Sequence, residues 1–257
     1  GQGRCHRPCP ERGQGPPRRR FRNQNTYCDA PTNPVRINCN RSPLSIIPLI
    51  KVFEGMPKDV QIPAVAPQWK SFGNGEFKMV KGDAVNMNYS QQISSKNGES
   101  GLIQGPQNVV AGEKYIGYIH AKGQGTLSVA LRNGNSVVAR QTLGTPGSEW
   151  KKYEFELSAP SYSGDADFAI CVENGTVQVD QATLSSASGL AAGGFRPDIL
   201  KTVKELHPTC LRWPGGGYVA QYEWKWGIGP QKDRQRWPHW MWMDYDQNCF
   251  GTDEFIR

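Results

Sequence analysis

From Trp69 to Leu184 apolar and polar residues alternate in short runs: "EFKMV" (76–80), "AVNMNYS" (84–90), "KYIGYIHA" (114–121), "TLSVALR" (126–132), "SVVARQTL" (136–143), "WKKYEFEL" (150–157), "DFAICVE" (167–173) and "TVQVDQATL" (176–184). A repeat of two residues places every second side chain on the same face of a strand. Turn signals separate the runs, notably "RNGN" (132–135) and "ENGT" (173–176), whose Asn-Gly pairs suit tight hairpins. Many short strands with no helical period between them predict an antiparallel β-sandwich over residues 67–187.

At "SSASGLAAGG" (185–194) small residues take over and the period changes. In "FRPDILKTVKELH" (195–207), Ile199, Leu200, Val203 and Leu206 fall on one face of a helix that Pro197 can start and Pro208 ends. "TCLRW" (209–213) reads as a short buried strand, and three glycines follow. After a long aromatic loop, "GTDEFIR" reads as a second helix, with Thr252 as N-cap and Asp253 and Glu254 in its first turn. Helix, strand, long loop and helix is the alternation of an α/β fold.

Composition changes the picture at the N-terminus. The net charge is +7, from 30 basic and 23 acidic residues. Residues 1–44 hold nine arginines and no lysine against Glu11 and Asp29, so the whole excess sits there and the rest of the chain is neutral. Such a block suits an unstructured tail or an arm for nucleic acid or an anionic surface. Its lack of any hydrophobic period, with arginine as the sole basic residue besides His6, also suits sequence foreign to the fold. Residues 1–50 are therefore set apart from the folded part, with 51–66 as a linker or remnant. Mean hydropathy is −0.61, and no apolar run approaches the roughly 18–20 residues a membrane span needs, so no membrane association is expected.

Seven cysteines are present, and of the four in residues 1–44 only Cys5 and Cys9 are closely spaced. Zinc sites usually want two tight pairs, so neither a metal nor a cofactor is expected. Cys171 and Cys210 lie in apolar runs and read as core.

The segment from Gly193 to Arg257 resembles the α-L-arabinofuranosidases of glycoside hydrolase family 51. That family's R-[WYF]-P-G-G, W-[KR]-x-x-[IV]-G-P and N-x-F-G-[TY]-x-E-F stretches are matched in order by Arg212–Gly216, Trp224–Pro230 and Asn248–Phe255. The sandwich ahead of it is similar to the carbohydrate-binding-module-like jelly roll that some members carry, and "KVFEGMPKD" (51–59) to the segment before that module. The resemblance implies that residues 190–257 are the truncated start of a (β/α)8 barrel. It implies a retaining hydrolase that releases terminal arabinofuranosyl residues from arabinan or arabinoxylan without a metal, and an extracellular or periplasmic setting. Nucleic acid is not an expected partner.

By the same resemblance the substrate-binding residues are Arg212, Gly215, Gly216, Gly217, Trp242 and Asn248. The glycines either bring a sugar close to main chain or only permit a tight turn, and Arg212 is either a sugar ligand or a loop anchor. Trp69, Tyr89, Tyr115 and Tyr118 either form a sugar platform in the sandwich or pack in it. The two catalytic glutamates belong to the family's fourth and seventh barrel strands and are expected beyond Arg257. None of Glu223, Asp244, Asp246 or Glu254 matches their positions. The alternative is a non-catalytic protein whose active part is the carbohydrate-binding module.

Overall fold

The computed structural model describes residues 63–86, 89–220, 222–234, 237–239, 244–246 and 248–256. The basic block, the 51–59 stretch, the first four cysteines and Trp242 lie outside the described residues.

Seven strands form one antiparallel sheet: β1 (Lys70–Phe72), β2 (Glu76–Lys81), β3 (Tyr89–Val109), β4 (Lys114–Asn133), β5 (Ser136–Gly144), β6 (Gly147–Ser158) and β7 (Gly164–Ser186). The central order is β1-β3-β7-β4-β5, with β2 also on β3 and β6 also on β4. β3, β4 and β7 have 21, 20 and 23 residues, several times the usual strand length, and all three bend at the same level. The register slips between Ser95 and Glu99 on β3 and between Gln124 and Thr126 on β4, beside Asn174 and Gly175 on β7. On one side of the bend β2 and β6 flank the three long strands, and on the other β1 and β5 do.

Both halves contribute to a single core. Phe155 of β6 stacks on Phe168 of β7 across it, with ring centroids 5.8 Å apart, and Ile93, Leu102, Leu127, Leu131, Ile170 and Val177 are fully buried around them. On the far side of the β1–β5 half, Ala130, Ala169 and Cys171 are buried beneath Phe72 and Ile103. The Arg132 guanidinium lies 4.7 Å above the Phe72 ring and pairs with Glu99 at 2.7 Å. The expected burial of Cys171 is met.

The two Asn-Gly signals part company. At "RNGN" the pairing of Asn133 with Ser136 leaves a two-residue loop of Gly134 and Asn135, the expected hairpin. At "ENGT" the strand runs on. Asn174 and Gly175 take positive φ (52° and 155°) inside β7, and the pair makes the bend rather than a hairpin. A Cβ on Gly175 would overlap the Gln124 carbonyl, so close approach of β4 fixes the glycine. The runs at 114–121 and 126–132 likewise join as one strand, as do those at 167–173 and 176–184. β3 went unforeseen through most of its length, because "SQQISSKNGESGLIQGPQNV" holds few apolar residues.

The chain leaves the sheet through α1 (Ala187–Ala191), capped by the Ser186 hydroxyl and closed by Gly193 and Gly194. Gly194 N–H donates to Gly189 O and Gly193 N–H to Leu190 O, the pair of reverse bonds that ends a helix on glycine. α2 (Pro197–Glu205) starts on Pro197 as expected. Its apolar stripe is only partly covered among the described residues: Leu200 and Val203 are half-buried, while Ile199 is 51% exposed and Leu206, just past the helix, 74%. Thr209–Trp213 is not a strand, and Cys210 and Leu211 are exposed. A strand forms only where a neighbouring strand takes its backbone hydrogen bonds, and no described strand pairs with this stretch. Among the described residues β8 (Trp237–His239) and β9 (Asp244–Asp246) pair only with each other. α3 (Thr252–Ile256) follows, with Gly251 rather than Thr252 at its cap. Glu254 reaches back to accept from Gly251 N–H at 2.8 Å, half of a capping box.

Candidate functional site

Gly215 and Gly216 have φ of 74° and 57°, the left-handed region that a β-carbon disfavours, and Gly217 continues into a 3-10 turn over Gly216–Ala220. No atom crowds the Cβ position of Gly216, so the turn requires glycine while the space beside it is open. Arg212 is exposed, and its Nε lies near the face of Gly215. Trp213 anchors the loop from below. Its ring stacks on Phe255 (5.2 Å) and meets Tyr222 and Phe250 edge-on (5.6 and 5.4 Å), and Phe250 in turn meets Phe195.

Two glycines join the second and third motif stretches. A Cβ on Gly251 would overlap the carbonyl of Gly227, and one on Gly227 would overlap the Tyr222 hydroxyl, so the two backbones pass in direct contact. Arg234, 3% exposed, binds this crossing together. Its guanidinium donates to Gly229 O (3.0 and 2.8 Å), to Asn248 O (3.1 Å) and to both carboxylate oxygens of Glu254 (2.7 and 3.0 Å). Gln231 Nε2 adds a bond to Cys249 O at 2.7 Å, and Asp253 accepts from Gly229 N–H at 2.7 Å. Burial pushes the Glu254 carboxyl up, but the bonds from Arg234 and Gly251 N–H outweigh it and hold the group below its ordinary range.

Asn248, 2% exposed with φ of 50°, donates its N–H to Asp246 Oδ1 at 2.9 Å and gives its carbonyl to Arg234. Burial raises the Asp246 carboxyl against that opposing bond. The fold thus gathers Arg212, Gly215, Gly216 and Gly217 in one loop, while Asn248 belongs to the Arg234 crossing, which the Trp213–Phe250 contact joins to that loop. Arg234 was not foreseen as the anchor. Its setting in "QKDRQR" reads as an ordinary charged loop, and the only cue was two glycine motifs whose carbonyls need donors.

The segment docks on the outer face of the β2–β6 half of the sheet. Asn86 Nδ2 donates to Arg234 O at 3.1 Å and also to Lys232 O. Asp180, fully buried on β7, accepts from the backbones of Val85, Asn86 and Gln181 and so fixes that asparagine. His120 lies alongside, its pKa lowered first by burial and then by Lys152 and Lys232. Of the four aromatic residues that suggested a sugar platform, Trp69, Tyr89 and Tyr115 are buried in the core. Tyr118 alone is part-exposed, with Lys152 Nζ 4.6 Å above its ring. No cluster of three or more His, Cys, Asp or Glu suited to a metal occurs among the described residues.

Residues 202–257 are matched by the family model described as alpha-L-arabinofuranosidase 1 domain. Over 64 residues the chain is 44% identical to probable alpha-L-arabinofuranosidase C of Aspergillus niger, which covers 25% of this chain and 13% of that protein. It is 45% identical over 64 residues to the intracellular exo-alpha-(1->5)-L-arabinofuranosidase of Bifidobacterium longum, covering 25% of this chain and 11% of that protein. The chain therefore spans only about an eighth of the length of these relatives. Among solved structures, the arabinose-bound MgGH51 α-L-arabinofuranosidase is similar with a TM-score of 0.64 at 18% identity, over 74% of this chain and 35% of that one. That coverage exceeds the C-terminal segment alone, so the likeness in fold includes the sheet. The chain is similar to family 51 arabinofuranosidases by sequence at its C-terminal end and by fold over most of its length.

Proposed function

We propose that this chain is part of a retaining α-L-arabinofuranosidase of glycoside hydrolase family 51, acting on terminal arabinofuranosyl residues of arabinan or arabinoxylan. The observation that carries the reading is the 44% identity over 64 residues to an arabinofuranosidase, across a stretch with three motifs in family order. The folded sheet, over residues 67–187, is a carbohydrate-binding-module-like sandwich, and residues 190–257 are the start of a (β/α)8 barrel. In such barrels the loops that follow the strands build the active site. The open glycine turn gives a furanose ring access to main-chain N–H groups beside Arg212, and the family resemblance adds Trp242 and Asn248 as sugar-binding residues.

Retention of configuration needs an acid/base and a nucleophile, two carboxyl groups about 5–5.5 Å apart. Glu254 does not serve, since Arg234 and Gly251 occupy its oxygens. By the family resemblance the acid/base and the nucleophile are two glutamates whose positions none of Glu223, Asp244, Asp246 or Glu254 matches. The 257-residue chain alone should therefore not hydrolyse 4-nitrophenyl α-L-arabinofuranoside above the buffer rate, and clear turnover would overturn the assignment.

A chimaera tests the reading directly. Residues 202–257, placed in the equivalent stretch of the Aspergillus niger relative, should give an enzyme that releases arabinose with retention. Gly216→Val in that chimaera should sharply lower turnover, because a branched side chain fills the open space and strains a left-handed residue. A chimaera that folds with a normal melting temperature yet turns over nothing sinks the proposal.

A further inference from the structure

A cleft of about 270 Å³ lies where the C-terminal segment meets the outer face of β4, β6 and β7. The sheet contributes Tyr118, Glu154, Thr183 and Ser185, and the segment contributes Gln231 and Phe250. We infer that this cleft is a binding site for a neutral sugar of one or two rings, separate from the glycine loop and shared between the sheet and the segment.

The chemistry of the walls selects the ligand class. Two hydroxyls have hydrogen-bonding capacity left over. Thr183 Oγ1 accepts from Tyr118 N–H at 3.2 Å, and no described residue takes its proton. Ser185, only 7% exposed, makes no side-chain bond to a described residue. Groups that both donate and accept match vicinal hydroxyls, which do the same. Charge is balanced on both walls: Glu154 pairs with Lys152 at 2.6 Å, and Glu254 with Arg234. A charged ligand would therefore gain little for its large desolvation cost, whereas a neutral one gives up only the hydration of its hydroxyls. The aromatic rings of Tyr118 and Phe250 suit the C–H face of a sugar ring, and the volume, about 270 Å³, lies just below the roughly 300–1,000 Å³ usual for small-molecule sites, as suits a ligand of one or two rings.

The lining is mostly apolar, with Ile116, Leu190 and Phe250 beside the hydroxyls of Thr183 and Ser185, the mix of apolar wall and few polar groups that small-molecule sites show. A ligand bridging the two walls would also hold the segment against the sheet, in parallel with the Asn86 contacts to Lys232 and Arg234.

The choice of arabinose rests on the proposed function, while the existence of the site does not. The full chain is titrated with α-1,5-arabinotriose and, separately, with xylotriose, and binding is followed by calorimetry. Saturable millimolar binding of arabinotriose is expected. Tyr118→Ala should weaken it about tenfold, a loss of about 1.4 kcal/mol, and Ser185→Ala less, with unfolding midpoints close to the parent's. Hydrogen exchange at residues 231–234 should slow when the sugar is present. Saturation by xylotriose alone keeps the site and removes arabinose as its ligand. No saturation by either sugar, or undiminished binding by Tyr118→Ala, overturns the site. None of these outcomes bears on turnover by the chimaera.

Discussion

The sheet and the segment after it are held together by different physics. In the sheet, Ile93, Leu102, Leu127, Leu131, Phe168 and Ile170 are wholly removed from water, and two faces of one folded sheet close over them. From Leu206 onward the cluster of Trp213, Tyr222, Phe250 and Phe255 is only half-buried and Leu211 and Ile256 lie 64% and 75% exposed, while the side chains most removed from water are an arginine and an asparagine. The sheet gains from apolar area lost to water. The segment gains from a small aromatic cluster around Trp213, but chiefly from carbonyls captured by one guanidinium and from two glycines that let backbones touch. A region of the first kind tolerates polar change at its surface, and one of the second kind hangs on a few atoms.

The largest effect should come from breaking the core. Phe168 touches both Phe155 and Trp69, so Phe168→Ala removes two ring contacts and leaves a cavity, at a cost of about 3–5 kcal/mol. Chemical denaturation of the chain should show the midpoint falling accordingly. A loss below about 1 kcal/mol would mean that the two halves of the sheet do not share one core.

Next comes Arg234→Ala. Removing one member of a buried pair strands the other, commonly at about 3–5 kcal/mol, and here three carbonyl bonds go as well. The cost should be local. Exchange protection at residues 227–256 should collapse while that of β3, β4 and β7 stays as in the parent. Equal loss in both regions would show that the segment and the sheet unfold as one unit, and would erase the distinction.

The same difference explains what could be read in advance. β2, β5 and β6 were legible because one buried face imposes a period of two on residues such as Phe155 and Leu157. β3 was not, since Gln91, Ser95 and Ser100 occupy buried positions that a polarity pattern assigns to loops. The bend at Asn174-Gly175 imitates a hairpin because positive φ serves both purposes, and only the partners on either side decide. In the segment the motifs were legible by resemblance alone. Arg234 escaped because its partners, Gly229 O, Asn248 O and Glu254, are spread over 26 residues with no periodic spacing. Thr209–Trp213 was misjudged because an apolar run forms a strand only where another strand receives it.

The smallest effect, and the sharpest test of the contrast, is the response to acid. Glu254 titrates below its unfolded value, because Arg234 and Gly251 N–H favour the carboxylate more than burial disfavours it. A carboxyl with a depressed folded pKa contributes stability that is complete above its unfolded pKa, about 4.3, and is lost as pH falls through the folded value. Asp246 works in the opposite sense. Burial raises its pKa, so its charge costs stability at neutral pH and proton uptake relieves that cost as pH falls through the raised value. Acidification from pH 7 should thus first ease the strain at Asp246 and then loosen the Glu254 contacts, giving protection at Gly251 that rises slightly before it falls. Asp83, held low by bonds from Lys122 and the Trp150 indole, also loses its contribution in acid, but it sits in the half-exposed loop after β2 where solvent screens it. Its acid response should be weaker and confined to the 83–86 loop. Glu254→Gln should remove the late fall at Gly251, and Asp246→Asn the early rise, once exchange rates are corrected for their intrinsic pH dependence. An unchanged fall in the Glu254→Gln variant would mean that Arg234 holds the segment through the carbonyls alone.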